Sequence, residues 1–335
     1  MKIRTKLSIL EHSPVIHGGK NHLQMTYSKI IDFSSNICPL GTPLSVKKSL
    51  KKNIDNIKNY PDSNSSSVIS SLKNYTKLEK SNLIVGNGAI EIIYNFCFAF
   101  LSKDTKVLIP IPTFQEYETA AKLNNCKISY FKTMNLSEDL EEFISKIPKN
   151  GCIFICNPNN PTGKLLKKNQ LSKIIKKAKK LSTFVFVDEC FIEMVPESNE
   201  SVISHVKKYD NLFILRSLTK SFALPGIRIG YAASSKQIIG VLQKIKIPWS
   251  VNSLAQDAAN ISLKNKTHLV KSNLIIKKEL NYLTNKINKL DGYDCKISST
   301  NFILIKTKND STNLQKKLLE KKILIRDCKN FRGLN

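Results

Sequence analysis

The stretch of sequence that decides the fold is RSLTKSFALPGIRIG, residues 216–230. It follows an apolar run, residues 212–215, that predicts a buried strand of a parallel sheet. Two hydroxyls and an arginine (Ser217, Thr219 and Arg228) are suitable donors to a phosphate group. Lys220 lies between them on a turn with apolar flanks, which can desolvate its amine and make it nucleophilic. The stretch therefore predicts a pocket for pyridoxal 5'-phosphate (PLP).

Outward from this stretch, short apolar runs alternate with helical patterns from residue 82 onward, which predicts a mostly parallel sheet with helices on both faces. Strands are predicted at residues 83–85, 107–110, 128–131, 152–156, 184–187 and 227–232. In such sheets, ligands bind at the carboxyl ends of the strands. Polar residues and glycines that follow these strands are therefore candidates for the site.

Four of the predicted strands are followed by residues with suitable chemistry. Gly88 and Ala89 open a helix whose free N–H groups favour a phosphate. Phe114 and Asn160 lie in the turns that follow strands 107–110 and 152–156. Asp188 directly follows strand 184–187, where a carboxylate can keep a pyridine nitrogen protonated.

The pattern changes near Pro248. A helical stretch with few breakers covers residues 251–290, and shorter strand and helix patterns follow it up to residue 327. We predict an N-terminal arm (residues 1–45), a large PLP-binding domain (residues 46–248) and a small α+β domain (residues 249–335).

The composition favours a soluble, globular protein of the cytoplasm. The net charge is +27, yet only five of the 53 basic residues are Arg, so the excess is a general bias towards Lys. Nucleic-acid surfaces prefer Arg with interleaved aromatic residues, and we predict no nucleic-acid partner. No apolar stretch is long enough to cross a membrane, and no export signal opens the chain. The eight cysteines form no C-x-x-C pair, which predicts reduced thiols and no metal site.

With these pieces in order, the chain resembles the fold-type I PLP-dependent enzymes, the aminotransferase class I and II group. The resemblance covers essentially the whole chain. It rests on an ordered set of motifs: Asn160-Pro161-Thr162-Gly163, Asp188, Ser217-x-Thr219-Lys220 and Arg228. It implies an α/β fold-type I transferase, in which a large domain with a mostly parallel sheet carries a smaller α+β domain.

The resemblance also implies roles for individual residues. Lys220 matches the Schiff-base lysine, Asp188 the partner of the pyridine nitrogen, and Asn160 the partner of the ring hydroxyl oxygen. Phe114 matches the aromatic residue that stacks on the cofactor. The residues that match the phosphate-binding cup are Gly88, Ala89, Ser217, Thr219 and Arg228. Tyr60 matches a tyrosine that reaches the phosphate of the neighbouring subunit, which implies a homodimer.

Two subfamilies are similar to this chain. Histidinol-phosphate aminotransferases usually have Tyr three residues after the aspartate, where this chain has Phe191. Threonine-phosphate decarboxylases of cobalamin synthesis match several motifs outside the cofactor site. These motifs are His17-Gly18-Gly19, Asp32-Phe33-Ser34-Ser35-Asn36, Pro39-Leu40-Gly41 and Arg326-Asp327-Cys328-x-Asn330-Phe331. We therefore favour the decarboxylase.

The favoured resemblance implies a small phosphorylated amino acid as substrate. Gly18, Gly19 and Asn36 are candidates to bind its phosphate, with Asn160 nearby, and Arg326 is the candidate for its carboxylate. An aminotransferase, a non-catalytic PLP-binding regulator and a basic nucleic-acid-binding protein are the alternatives. Similar proteins continue beyond Phe331-Arg332-Gly333-Leu334 into another strand and helix, so we expect the small domain to be incomplete here.

Overall fold

A seven-stranded sheet organises the fold. The computed structural model describes residue 5, residues 7–19 and residues 30–334. The strands of all sheets in the described chain are β1 (Ile31–Asp32), β2 (Leu83–Gly86), β3 (Lys106–Ile111), β4 (Lys127–Lys132), β5 (Cys152–Cys156), β6 (Phe184–Asp188), β7 (Leu212–Ser217), β8 (Gly230–Ser234), β9 (Tyr293–Cys295), β10 (Ile305–Thr307) and β11 (Ile323–Leu324). The strand order of the large sheet is β2-β8-β7-β6-β5-β3-β4. It is parallel except for β8, which runs antiparallel to both of its neighbours.

Helices cover both faces of this sheet. The α-helices of the described chain are α1 (Leu7–Leu10), α2 (Leu44–Lys52), α3 (Ser66–Thr76), α4 (Gly88–Phe100), α5 (Glu116–Leu123), α6 (Leu140–Ser145), α7 (Lys168–Lys180), α8 (Leu218–Ser221), α9 (Lys236–Ile245), α10 (Ser253–Lys264), α11 (Lys266–Ile287) and α12 (Ser311–Glu320). None of the described helices combines the length and the apolar character that crossing a bilayer requires.

The central strands are buried on both faces, as their continuous apolar runs predict. Successive side chains of a strand point to opposite faces, so β6 places Val185 and Val187 in one apolar cluster and Phe186 in the other. The second cluster is rich in aromatic side chains, and Phe186 contacts Phe213 of β7 with ring centroids 5.0 Å apart. This aromatic cluster underlies the face of the sheet that carries the candidate site.

Two sequence predictions need correction. The strand predicted at residues 227–232 begins only at Gly230, because Arg228 has a φ of +64°, a left-handed conformation that a strand cannot contain. The single long helix predicted at residues 251–290 is two helices, α10 and α11. They meet at Asn265, whose side chain accepts a hydrogen bond from the backbone N–H of His268 and so caps α11.

Pairing between distant segments closes the molecule. Strand β1 of the predicted N-terminal arm pairs in parallel with β11, so that Ile31 lies opposite Ile323. Strands β9 and β10 form an antiparallel pair next to α11. The boundary near residue 248 stays a prediction.

Candidate active site

The sheet brings the predicted site residues to one edge. Strands β3, β5, β6 and β7 are parallel neighbours, so their carboxyl ends lie on the same side. Phe114 follows β3, Asn160 follows β5, Asp188 ends β6 and Lys220 follows β7. Because β8 runs in the opposite direction, its first residues lie at this same edge, and this places Arg228 beside the others.

The N-terminus of α4 and the start of β8 form a cradle. Gly88 begins α4 with a φ of +76°, and a Cβ at this position would lie 2.5 Å from Nη2 of Arg228. A Cβ on Gly230 would lie 2.7 Å from the backbone nitrogen of Ala89. Glycine at both positions lets a guanidinium group and a strand approach free N–H groups that favour an anion.

Two buried hydroxyls lie beside this cradle. Oγ of Ser217 and Oγ1 of Thr219 are 2.6 Å apart. Ser217 pairs with Gly230, which pairs on its other side with Gly86, two residues before Gly88. The structure therefore brings together all five residues that the sequence predicts for the phosphate-binding cup.

The half-buried Lys220 lies beside the buried Asp188 in the site. Burial lowers the pKa of the Lys220 amine, and the positive charge of Arg228 acts in the same direction. Burial raises the pKa of the Asp188 carboxyl, which is 5% exposed, while hydrogen bonds and the charge of Lys220 oppose that effect. A partly neutral amine is what the apolar flanks of Lys220 predict.

Tyr117 is a site residue that the sequence analysis missed. Its hydroxyl donates a hydrogen bond of 2.6 Å to Oδ2 of Asp188, and the backbone N–H of Cys190 donates one of 2.8 Å to Oδ1. The Tyr117 ring stacks on Phe154 with centroids 5.3 Å apart. Tyr117 lies in the first turn of α5, three residues after Phe114, which precedes that helix.

Aromatic rings surround the polar residues of the site. Phe114 contacts Tyr117 edge-on, with centroids 5.5 Å apart. Phe191 is buried, and Nζ of Lys220 lies 6.0 Å from its ring centroid. Asn160 is half-buried in the turn after Cys156, the β5 residue that pairs with Asp188. These positions agree with the edge predicted for each residue.

The acidic pair at the end of β6 is divided between the two faces of the sheet. Asp188 lies on the site face, whereas Glu189 is fully buried on the opposite face and contacts Arg216. The guanidinium group of Arg216 donates to Glu189 at 2.9 Å, to Glu193 at 3.1 Å and to Ser201 at 2.8 Å. The alternation of faces along a strand could have predicted this division, but a buried partner for Arg216 could not be predicted from spacing.

The described part of the N-terminal arm lies against the site, where the His17 ring centroid is 5.9 Å from that of Phe114. The backbone N–H of Gly19 donates to Oγ of Ser34 at 3.0 Å, and a Cβ on Gly18 would lie 3.6 Å from Cδ of Arg326 and clash with the Ser34 carbonyl. Nη2 of Arg326 donates to the carbonyl oxygen of Ile16 at 2.7 Å. Gly18, Gly19 and Arg326, which are distant in sequence, thus lie together.

The segment that follows Asn36 is held to Lys220 through the backbone. The N–H of Cys38 donates to the carbonyl oxygen of Lys220 at 3.0 Å, and the side chain of Asn301 donates to the carbonyl oxygen of Ile37 at 3.1 Å. Tyr60, in contrast, is 82% exposed and stacks on Trp249 at 4.7 Å. Among the predicted cofactor residues, Tyr60 and Arg228 are exposed, while the others are buried or half-buried.

The geometry of this site agrees with a family model for "Aminotransferase class I and II", which matches residues 28–333. The chain belongs to the aminotransferase class I and II family. Its fold is the α/β fold of fold-type I PLP enzymes, and its cofactor is PLP. The match covers nearly all of the chain.

Named relatives fall into two groups. A protein provisionally named threonine-phosphate decarboxylase, from Caldanaerobacter subterraneus subsp. tengcongensis, is 36% identical over 309 residues (90% of this chain, 82% of that protein). A histidinol-phosphate aminotransferase of Methanococcus aeolicus is 33% identical over 314 residues (92% and 84%). The crystal structure of the histidinol-phosphate aminotransferase from Clostridium acetobutylicum has a TM-score of 0.84 and 35% identity (91% and 92%). Sequence identity alone therefore does not separate the two activities.

The residues of the site fit PLP. The cradle that Gly88 leaves open beside Arg228 suits a phosphate group, and the buried carboxylate of Asp188 suits a protonated ring nitrogen. The eight cysteines are free thiols. Within the described ranges, no group of three or more His, Cys, Asp or Glu side chains is placed to hold a metal ion.

Proposed function

We propose that this enzyme decarboxylates L-threonine O-3-phosphate to (R)-1-amino-2-propanol O-2-phosphate, a reaction of cobalamin biosynthesis. The observation that carries the proposal is the contact of Gly18 and Gly19 with Ser34 and Arg326 at the edge of the site. Backbone and hydroxyl donors beside a guanidinium group together suit a substrate with two anionic groups. The decarboxylase relative at 36% identity supports it.

A histidinol-phosphate aminotransferase is the second candidate. Relatives with that name match this chain about equally well. Phe191 argues against it, because a phenylalanine ring cannot donate the hydrogen bond that a tyrosine at this position would give to the ring hydroxyl oxygen of the cofactor. Phe191 instead packs edge-on against Phe302, with centroids 5.0 Å apart.

We assign the cofactor contacts to the residues that the structure brings together. In this assignment Lys220 forms the covalent link, Asp188 contacts the ring nitrogen, Asn160 contacts the ring hydroxyl oxygen and Phe114 stacks on the ring. The phosphate-binding residues are Gly88, Ala89, Ser217, Thr219 and Arg228. PLP supplies an electron sink for the electrons left at Cα when a bond to that atom breaks.

The remaining residues decide which bond breaks. Arg326 binds the substrate carboxylate, while Gly18, Gly19 and Asn36, with Asn160 nearby, bind the substrate phosphate. Holding the substrate at both ends aligns the bond from Cα to the carboxylate for cleavage. The amine of Lys220, released when substrate binds, then delivers a proton to Cα and completes the product.

Tyr60 belongs to this assignment through a second copy of the chain. In this proposal its ring reaches the cofactor phosphate of the other subunit. The Tyr60 ring is exposed, and Leu44, Ile57 and Ile247 are also exposed apolar residues. Exposed apolar side chains of this size favour an interface between subunits. We therefore propose a homodimer, and sedimentation of the PLP-loaded protein tests it, since a monomer at micromolar concentration would contradict the role of Tyr60.

A comparison of two substrates tests the proposed reaction. Incubation of the PLP-loaded protein with L-threonine O-3-phosphate is expected to release carbon dioxide without a keto-acid acceptor. Histidinol phosphate with 2-oxoglutarate is the matched assay for the second candidate. Amino transfer at a rate comparable to carbon dioxide release would favour the aminotransferase.

Gly88→Ala is expected to weaken PLP binding. The added Cβ would lie 2.5 Å from Nη2 of Arg228, so the guanidinium group must move from the cradle. Loss of one charge-assisted contact corresponds to a rise of about ten- to a hundredfold in the dissociation constant of PLP. Equilibrium dialysis measures it.

Gly226→Ala is the matched control for this substitution. Gly226 lies in the loop between α8 and β8 that also carries Arg228, and a Cβ there meets no atom within 4 Å. Its PLP affinity should equal that of the unchanged protein. Equal affinities in all three proteins would contradict the assignment of Gly88 and Arg228 to the phosphate group.

A further inference from the structure

The hydroxyl of Tyr117 is the only described side-chain hydroxyl recorded in a hydrogen bond with Asp188. The O–O distance is 2.6 Å, and both side chains are almost completely buried. The Tyr117 ring is held between Phe154, on which it stacks, and Phe114, which it meets edge-on. Packing therefore fixes the direction in which the hydroxyl donates.

Tyr117 acts on Asp188 as a neutral donor. Burial, together with the charge of Asp188, raises the pKa of the Tyr117 phenol well above its usual value, so its proton stays on the hydroxyl oxygen. A donor that stabilises a carboxylate makes that carboxylate a weaker proton acceptor. The bond occupies only one lone pair of Oδ2, so Asp188 keeps further acceptor positions for another partner.

Other charged or titratable groups also face Asp188. The thiol of Cys156 lies on β5, the thiol and the backbone N–H of Cys190 follow β6, and the amine of Lys220 lies on α8. Burial raises the pKa of both thiols, which keeps them neutral. Among these groups, Tyr117 can be changed with the least disturbance, because phenylalanine preserves its ring and removes only the donor.

We propose that Tyr117 is a positioning residue that keeps the proton on the ring nitrogen of the cofactor by weakening Asp188 as a proton acceptor. This inference rests on the proposed contact between Asp188 and that nitrogen. Without the hydroxyl, the shared proton moves towards Asp188 and the ring carries less positive charge. The nitrogen that links Lys220 to the cofactor then holds its own proton more tightly.

The pH dependence of the visible absorption band of the PLP-loaded protein tests this inference. Tyr117→Phe is expected to raise the pH midpoint of that band by about one unit, the scale of one hydrogen bond to a charged group. Tyr75→Phe is the matched control, because Tyr75 donates a bond of 2.7 Å to another carboxylate, that of the partly buried Glu193. Its midpoint should not change.

Two further variants keep the outcomes distinct. Asp188→Asn should move the midpoint by more than Tyr117→Phe does, and an unchanged midpoint there would contradict the proposed contact of Asp188 itself. If Asp188→Asn moves the midpoint and Tyr117→Phe does not, the inference about Tyr117 is wrong. Incorporation of 3-fluorotyrosine at position 117, which is a stronger donor, should lower the midpoint and requires no loss of packing.

Discussion

Replacing Lys220 with alanine is expected to abolish the covalent attachment of PLP and nearly all catalytic activity. The residue lies on α8 between Ser217 and the start of β8, and burial has already lowered the pKa of its amine. Removing a nucleophile that also transfers a proton lowers kcat by at least about four orders of magnitude in enzymes of comparable chemistry. Borohydride reduction followed by peptide mapping should place a pyridoxyl group on Lys220 in the unchanged protein and on no peptide of Lys220→Ala.

Lys246→Ala is the matched control. Lys246 is also half-buried, burial also lowers its pKa, and its amine donates to the carbonyl oxygen of Ser63 at 2.8 Å. This variant should still be labelled at Lys220. Labelling at Lys246, or retained activity in Lys220→Ala, would show that Lys220 is not the lysine that binds PLP covalently.

Arg216→Met is expected to produce the largest loss of stability. The substitution leaves Glu189, which is fully buried, without its cationic partner on the face opposite the site. Breaking a buried ion pair from one side costs about 3–5 kcal/mol in the free energy of unfolding. Because Arg216 and Glu189 directly adjoin Ser217 and Asp188, we also expect weaker PLP binding. Urea denaturation monitored by circular dichroism measures the first effect.

Arg332→Met is the control for this second prediction. Arg332 makes two hydrogen bonds to Glu118, of 2.9 and 2.7 Å, but its side chain is 47% exposed. Solvent-exposed ion pairs contribute about 0–1 kcal/mol. Similar losses in the free energy of unfolding of the two variants would show that the buried ion pairs of Arg216 stabilise the fold no more than an exposed pair does.

Much of the site could be predicted because each residue follows a strand. Asp188 and Lys220 end or follow apolar runs, and parallel strands bring such ends to one edge whatever the details of packing. The sequence pattern placed Arg228 inside a strand. In the structure its φ is left-handed and its guanidinium group lies close to Gly88. The periodicity of apolar residues does not report such a contact.

Contacts that join distant segments could not be predicted from local patterns. Tyr117 looked like an ordinary aromatic residue of an amphipathic helix, and its role depends on Asp188, 71 residues later in the chain. The pairing of β1 with β11 likewise joins two short polar-flanked runs at opposite ends of the sequence. In both cases the decisive interaction is tertiary, whereas spacing and propensity describe neighbours along the chain.

The most direct test of the central claim follows which bond to Cα breaks. The substrate is L-threonine O-3-phosphate with deuterium on Cα and carbon-13 in the carboxylate, incubated with the PLP-loaded protein in ordinary water. Decarboxylation breaks the bond from Cα to the carboxylate, so we predict labelled carbon dioxide and an aminopropanol phosphate that keeps its deuterium. Deuterium lost to water, with carbon-13 retained in a keto-acid product, would contradict the account and indicate amino transfer.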